Sequence, residues 1–150
     1  MIQVYCSDAA ATESLGARLA ASLRPGDVIL LAGGLGAGKT LFTKGIATGL
    51  GVEEPVVSPS FVLVRDYRSG FMPVIHVDVY RLGSLNEFED LDVFELAREG
   101  VLVVEWGSAV EVMMPADHLR VEFSIESDDT RNLKFVGEGA WVERDLSGVA

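Results

Sequence analysis

Hydrophobic and polar residues near the N-terminus follow a pattern that predicts a strand, a helix and a second strand. Residues 2–6 alternate between apolar and polar side chains, as a short strand does. Ser7 and Asp8 then offer helix caps, and leucines at i, i+4 spacing in residues 15–23 predict an amphipathic helix. Beyond a turn at residues 25–27, Val28–Ala32 is a continuous apolar run, typical of a buried parallel strand.

A glycine-rich segment follows this apolar strand, and a helix is predicted directly after it. The helix begins at Lys39 and extends to about residue 50, with apolar positions at Leu41, Phe42 and Ile46. Strand, glycine-rich segment and helix therefore follow one another without interruption.

The middle of the chain predicts a hairpin, a helix and another buried strand. Residues 61–67 and 72–80 are two β-rich runs separated by a short turn, the arrangement of an antiparallel hairpin. Residues 85–99 combine apolar and acidic side chains in a pattern that predicts a helix packed on one side. Residues 101–104 form a second apolar strand, which ends at Glu105.

The last third of the chain predicts a further hairpin, from alternating residues 119–125 and 132–136, that finishes one edge of the sheet. Apart from Trp141 and Val142, residues 137–150 are short of structural signals and predict a loosely ordered tail. We find no repeat or linker, so residues 1–150 are expected to form one domain. The predicted fold is a three-layer α/β arrangement, with a mainly parallel central sheet, antiparallel hairpin additions and helices on its faces.

Composition narrows the functional classes. At 150 residues and 49% hydrophobic content, the chain can bury a core without disulfides, and its single cysteine, Cys6, indicates a reducing compartment. We expect a cytoplasmic protein, because no apolar run is long enough to cross a bilayer. A net charge of −11 repels nucleic-acid phosphates, so partner proteins are favoured over direct RNA or DNA binding.

The glycine-rich segment carries the most specific signal. It matches G-x-x-x-x-G-K-[ST], and both the strand before it and the helix after it belong to the context of that motif. Its glycines let backbone N–H groups point inward, and the positive end of the helix dipole suits phosphate oxygens. The pattern predicts a P-loop whose nucleotide-binding residues are Gly33, Gly34, Leu35, Gly36, Ala37, Gly38, Lys39 and Thr40.

The residue types in this loop predict ATP and Mg²⁺ as ligands. Lys39 is expected to reach the β- and γ-phosphates, and the Thr40 hydroxyl to ligate the Mg²⁺ that bridges them. The chain has only two asparagines, Asn86 and Asn132, and lacks the N-K-x-D guanine signature. ATP is therefore favoured over GTP.

A second metal-side residue is expected where an apolar strand ends in a carboxylate, and both Asp78 and Glu105 qualify. We favour Glu105, because it ends the longer apolar run and so a more central strand. Asp78 is then a candidate to order the attacking water, to hold a direct ligand of the metal in place, or to cap the turn that follows it. His76 lies on the same face of its strand as Asp78, so it either orients that carboxylate or is a buried structural histidine.

Four motifs follow one another along the chain, namely the P-loop, Ser58-Pro59-Ser60-Phe61, His76-Val77-Asp78-Val79-Tyr80-Arg81-Leu82 and Glu105-Trp106. Together they resemble the motifs of the TsaE (YjeE) family of bacterial ATPases required for threonylcarbamoyladenosine in tRNA, and the resemblance covers about residues 15–136. Three positions depart from the usual family pattern, namely Gly34, Leu41 and Ser60.

The resemblance implies roles for individual residues and for the whole protein. It implies catalytic roles for Lys39, Asp78 and Glu105, with Thr40 and Glu105 at the metal. Further residues that it implies at the site are Leu41 and Trp106 near the nucleotide, residues 58–61 as a switch segment, and Tyr80 and Arg81 on its flanks. Implied partners are the TsaD and TsaB proteins, which carry out threonylcarbamoyl transfer to ANN-decoding tRNAs, so that tRNA is contacted only indirectly.

Two other functions use the same motifs. A small-molecule kinase would employ Asp78 as a base towards a substrate hydroxyl, although the chain shows no arginine-rich lid segment. A nucleotide-controlled interaction module would depend on switch loops ordered by the γ-phosphate rather than on turnover. The leading prediction is an accessory ATPase that is weak alone, because no arginine finger is identifiable.

Overall fold

The computed structural model describes residues 1–34, 36–56, 64–79, 92–105 and 111–149. None of the helices among these residues has both the length and the apolar character needed to span a bilayer. The elements are β1 (Ile2–Cys6), α1 (Ala9–Ala20), β2 (Val28–Ala32), α2 (Lys39–Gly49), β3 (Val64–Tyr67), β4 (Val74–Asp78), α3 (Val93–Leu96), β5 (Val101–Glu105), β6 (His118–Ile125), β7 (Arg131–Glu138) and a 3-10 helix (Gly139–Glu143).

The strands of the described residues form a single seven-stranded sheet with the order β1-β7-β6-β2-β5-β4-β3. The four central strands β6, β2, β5 and β4 pair in parallel, and the outer pairs are antiparallel. The predicted parallel centre and both hairpins are therefore confirmed. The prediction that the β6–β7 hairpin finishes one edge of the sheet is wrong. Strand β1 pairs with the outer side of β7 and is itself the edge strand. Residues 57–63 and 80–91 of the predicted elements lie outside the described part of the chain.

Alternate residues of the central strands point into two separate cores. Ile29 of β2 packs in a core with Leu15 and Phe42 from α1 and α2. Leu30, the next residue, packs on the opposite face in a core that includes Val93 of α3. Helices therefore cover both faces of the sheet, and the central strands are apolar throughout because both of their faces are buried.

Close packing of α1 against α2 fixes where α2 begins. A Cβ atom on Gly45 would overlap the carbonyl oxygen of Glu13, and one on Gly16 would overlap that of Phe42. The helix backbones can approach this closely only because both positions lack a side chain. Asp8 caps α1 as predicted, since its Oδ1 accepts a 2.8 Å hydrogen bond from Ala11 N.

The C-terminal segment has defined packing, although the sequence predicts a loosely ordered tail there. Trp141 and Val149 are buried in the same core as α1. Arg144 donates to both carboxylate oxygens of Asp27, at 3.0 and 2.9 Å, and its guanidinium lies 3.8 Å from the centre of the Trp141 ring. These side chains anchor the segment through residues far away in sequence, which local composition does not reveal.

Candidate functional site

The glycine-rich loop lies between the carboxyl end of β2 and the first turn of α2, as the motif predicts. Gly33, Gly36 and Gly38 have φ angles of 150°, 79° and 102°, a region that residues with side chains rarely adopt. At Gly33 a Cβ atom would also lie only 2.9 Å from Cβ of Phe123. The loop conformation thus depends on glycine at these positions. Leu35 lies outside the described residues.

The amino end of α2 faces this loop. Gly38 occupies the N-cap position and has no side chain to accept from the N–H groups of the first turn, which contains Thr40 and Leu41. Such uncapped donors, together with the positive end of the helix dipole, favour an anion.

Lys39 lies inside the loop rather than in solvent. Its side chain is buried, and Nζ donates hydrogen bonds to the carbonyl oxygens of Gly33 at 2.6 Å and Gly34 at 3.0 Å. Burial lowers the pKa of the Lys39 ammonium group, and the negative charges of Glu105 and Asp78 oppose that shift. Lys39 is therefore hydrogen-bonded to the loop backbone, and the negative charges of two carboxylates act on it.

Thr40 and Glu105, the two predicted metal-side residues, are in contact. The Thr40 hydroxyl lies 3.3 Å from each carboxylate oxygen of Glu105, which is buried at the carboxyl end of β5. Their side chains supply the oxygen donors that Mg²⁺ prefers, and Mg²⁺ usually takes one or two carboxylates plus nucleotide phosphates. Within the described ranges no cluster of three or more His, Cys, Asp or Glu could hold a metal, and Thr40 and Glu105 fit a Mg²⁺ that takes its other ligands from elsewhere.

Asp78 and His76 reach the site from β4. Parallel pairing places Asp78 opposite Glu105, and Asp78 is largely buried. We expected His76 to orient Asp78 or to be a structural histidine, but its Nε2 contacts Oε2 of Glu105. The prediction of the shared face was correct, since β4 presents both residues towards the same core. His76 contacts Glu105 instead of Asp78 because β5, which carries Glu105, lies next to β4. The order of strands in the sheet reveals this neighbour, and the sequence pattern does not.

Arg131 is a loop contact that the sequence did not identify. Its Nη2 lies 3.5 Å from the carbonyl oxygen of Gly36, and Nη1 contacts the backbone carbonyls of the β6–β7 turn. Since β6 is parallel to β2 and next to it, the turn after β6 lies at the same edge of the sheet as the glycine-rich loop. No local motif marks this arginine, and only the strand order indicates its position.

Several residues implied at the site lie outside the described part of the chain. They are Leu35, Ser58, Pro59, Ser60, Phe61, Tyr80, Arg81 and Trp106. Their roles as nucleotide, switch and flanking residues therefore remain predictions.

The fold and the site define an α/β protein in which a glycine-rich loop joins a buried parallel strand to a helix, beside two carboxylates. The family profile described as "Threonylcarbamoyl adenosine biosynthesis protein TsaE" matches residues 6–133. The chain belongs to the TsaE family.

Individual relatives and a solved structure agree with this assignment. The chain is 41% identical to the "tRNA threonylcarbamoyladenosine biosynthesis protein TsaE" of Bacillus subtilis, over 85% of this chain and 80% of that protein. It is 42% identical to the protein of the same name from Streptomyces coelicolor, over 91% of this chain and 97% of that protein. The crystal structure of Bacillus subtilis YdiB superposes with a TM-score of 0.76 at 34% identity, covering 92% of this chain and 86% of that one.

Proposed function

We propose that this chain is a Mg²⁺-dependent ATPase with a P-loop NTPase fold that serves tRNA threonylcarbamoyladenosine biosynthesis. One observation carries the ATPase part, namely the contact of Thr40 with Glu105 directly beside the glycine-rich loop. This contact joins the last residue of the P-loop motif to a carboxylate on the neighbouring parallel strand, which is the combination that magnesium-nucleotide sites require.

Each residue of the site has a task in ATP binding. Backbone N–H groups of the loop and of the first turn of α2 bind phosphate oxygens. Lys39, which donates to loop carbonyls in the structure, turns its ammonium group towards the β- and γ-phosphates when ATP enters. Thr40 and Glu105 hold the Mg²⁺, which when bound neutralises charge on the phosphates.

Asp78 is the candidate for the hydrolytic step. It is largely buried and lies opposite Glu105 in the sheet, so its carboxylate is close to the carboxylate that contacts Thr40. We assign to it the orientation of the attacking water, and to Glu105 the metal. This division explains why two carboxylates are needed at one site.

The role in tRNA modification comes from the family and agrees with the charge of the chain. The TsaE relatives are named for threonylcarbamoyladenosine biosynthesis, and we infer that this chain supports the TsaD and TsaB proteins in the cytoplasm. A net charge of −11 disfavours direct binding of tRNA by this chain, so we assign the tRNA contact to these partners.

The test is ATP hydrolysis by the purified chain, alone and with TsaD and TsaB, for wild type, Lys39→Ala, Asp78→Ala and Glu105→Ala. We expect turnover to appear or rise with the partners and to be lost in all three variants. Lys44→Ala is the matched control, because Lys44 lies on the same helix but is half exposed and only loosely paired with Glu13. Phosphorylation of a small hydroxyl compound, with no effect of the partners, would instead identify a kinase.

A further inference from the structure

We propose that His76 is a positioning residue that fixes the Glu105 carboxylate for Mg²⁺ binding. The inference rests on the proposed function and deepens it, since it adds a residue behind the metal-side carboxylate. It concerns only how Glu105 is held, and His76 is not assigned any contact with nucleotide or metal.

The imidazole of His76 has one evident purpose in the structure. Its side chain is fully buried, and Nε2 contacts Oε2 of Glu105. An ionised carboxylate can only accept a hydrogen bond, so His76 Nε2–H is the donor. The other ring nitrogen, Nδ1, has no hydrogen-bond partner among the residues that the structure describes. Among the described residues, the contact with Glu105 is therefore the one hydrogen bond that the ring makes.

An apolar residue would suit the surroundings of His76 better if packing were the only requirement. Val74 lies on the same face of β4 as His76, and Val103 is the residue of β5 that pairs with His76. Both valines belong to the buried core. Moving a polar ring into such surroundings is unfavourable unless a hydrogen bond compensates. The contact with Glu105 supplies that compensation and explains why the position carries a histidine.

Holding one oxygen of Glu105 limits the orientation of the whole carboxylate. The terminal torsion of a glutamate is broad, so an unrestrained carboxylate samples many orientations. His76 restrains Oε2, while the Thr40 hydroxyl lies 3.3 Å from each oxygen. Outer partners of this kind orient metal-binding carboxylates, and their loss typically weakens metal affinity by about 10- to 100-fold.

The experiment measures Mn²⁺ binding to the complex of the protein with a non-hydrolysable ATP analogue, by electron paramagnetic resonance, together with analogue affinity in the absence of metal. His76→Gln and His76→Asn form the critical pair. Both introduce an amide of similar polarity, but only the glutamine side chain is long enough to place a donor near the position of Nε2. His76→Leu removes the donor altogether.

His118→Leu is the control for loss of a buried histidine. His118 is also largely buried, but its Nδ1 donates to the carbonyl oxygen of Pro115 at 2.8 Å. It starts β6, at the end of the sheet away from the glycine-rich loop.

We expect His76→Asn and His76→Leu to weaken Mn²⁺ binding by about tenfold or more, and His76→Gln to stay within about threefold of wild type. Metal-free analogue affinity should change little in any variant. Equal Mn²⁺ affinity in the glutamine and asparagine variants would overturn the inference, and this pair remains decisive if His76→Leu fails to fold. A wild-type protein that binds no analogue would instead overturn the proposed function, and the inference with it.

Discussion

The Thr40 hydroxyl lies 3.3 Å from both carboxylate oxygens of Glu105, although 65 residues separate the two along the chain. Parallel pairing of β2 with β5 produces this proximity, because it sets Leu31 opposite Glu105 at the carboxyl ends of both strands. The glycine-rich loop then leads from β2 to the start of α2, where Thr40 is the second residue. Ligand sites of α/β sheets lie at this edge for the same reason.

The first prediction concerns the hydroxyl of Thr40. Mg²⁺ should raise the affinity for an ATP analogue, and Thr40→Ala should remove this gain. We expect the affinity measured with Mg²⁺ to fall by on the order of tenfold or more, as at other perturbed metal sites. Thr40→Ser keeps the hydroxyl and should retain most of the gain. The measurement is analogue affinity with Mg²⁺ and with a chelator. A gain that survives in Thr40→Ala would contradict the assignment of Thr40 to the metal.

The local parts of the site are predictable from the sequence because their signals are local. The strand from the apolar run of β2 and the helix from Lys39 are both confirmed at nearly the predicted bounds. The preference of apolar runs for buried parallel strands also correctly placed Glu105 at the end of a central strand. These features depend on neighbours within a few residues.

The remaining parts depend on the order of strands, which the sequence pattern does not encode. His76 contacts Glu105 because β4 lies next to β5, and Arg131 reaches Gly36 because β6 lies next to β2. The C-terminal segment is a similar case, since Arg144 is anchored by Asp27, 117 residues away. The sequence pattern associates His76 with Asp78, its neighbour along the chain, and marks neither Arg131 nor Arg144.

The second prediction concerns that anchor. Arg144 is mostly buried and also donates to the carbonyl oxygen of Ser22 at 2.6 Å, so Arg144→Ala leaves Asp27 as a buried, poorly compensated charge. Breaking such a pair typically destabilises by about 3 kcal/mol, measurable by chemical denaturation. Arg98→Ala is the control, because its ion pair with Glu95 is exposed and should contribute little. Equal effects of the two substitutions would mean that Arg144 is solvated in solution.

The third prediction concerns the close approach of α1 and α2. In a helix, glycine to alanine is normally stabilising by about 1 kcal/mol. Gly45→Ala should instead be destabilising by about 3 kcal/mol, because the new methyl group would overlap the Glu13 backbone and force the helices apart. Thr48→Ala, at an exposed position of the same helix, serves as the control and should be neutral or stabilising. A Gly45→Ala protein as stable as wild type would show that the helices are further apart than in the structure.

The fourth prediction concerns the single cysteine. Cys6 ends the edge strand β1, where it pairs with Arg131, yet its side chain is buried in the core beneath α1. Burial raises the pKa of the Cys6 thiol, and a hydrogen bond from Thr12 only partly opposes this effect. Since the thiolate is the reactive form, both access and ionisation disfavour reaction with an alkylating reagent.

We therefore expect native protein to be alkylated at Cys6 at least about a hundredfold more slowly than denatured protein, because reaction requires local opening of β1. The rate should rise when Cys6 is exposed by a substitution that weakens β1, such as Val4→Asp, since Val4 packs against the same core. Tyr5→Asp, whose side chain is mostly exposed on the same strand, should have a smaller effect. Rapid labelling of the wild-type protein would mean that Cys6 is less buried in solution than in the structure.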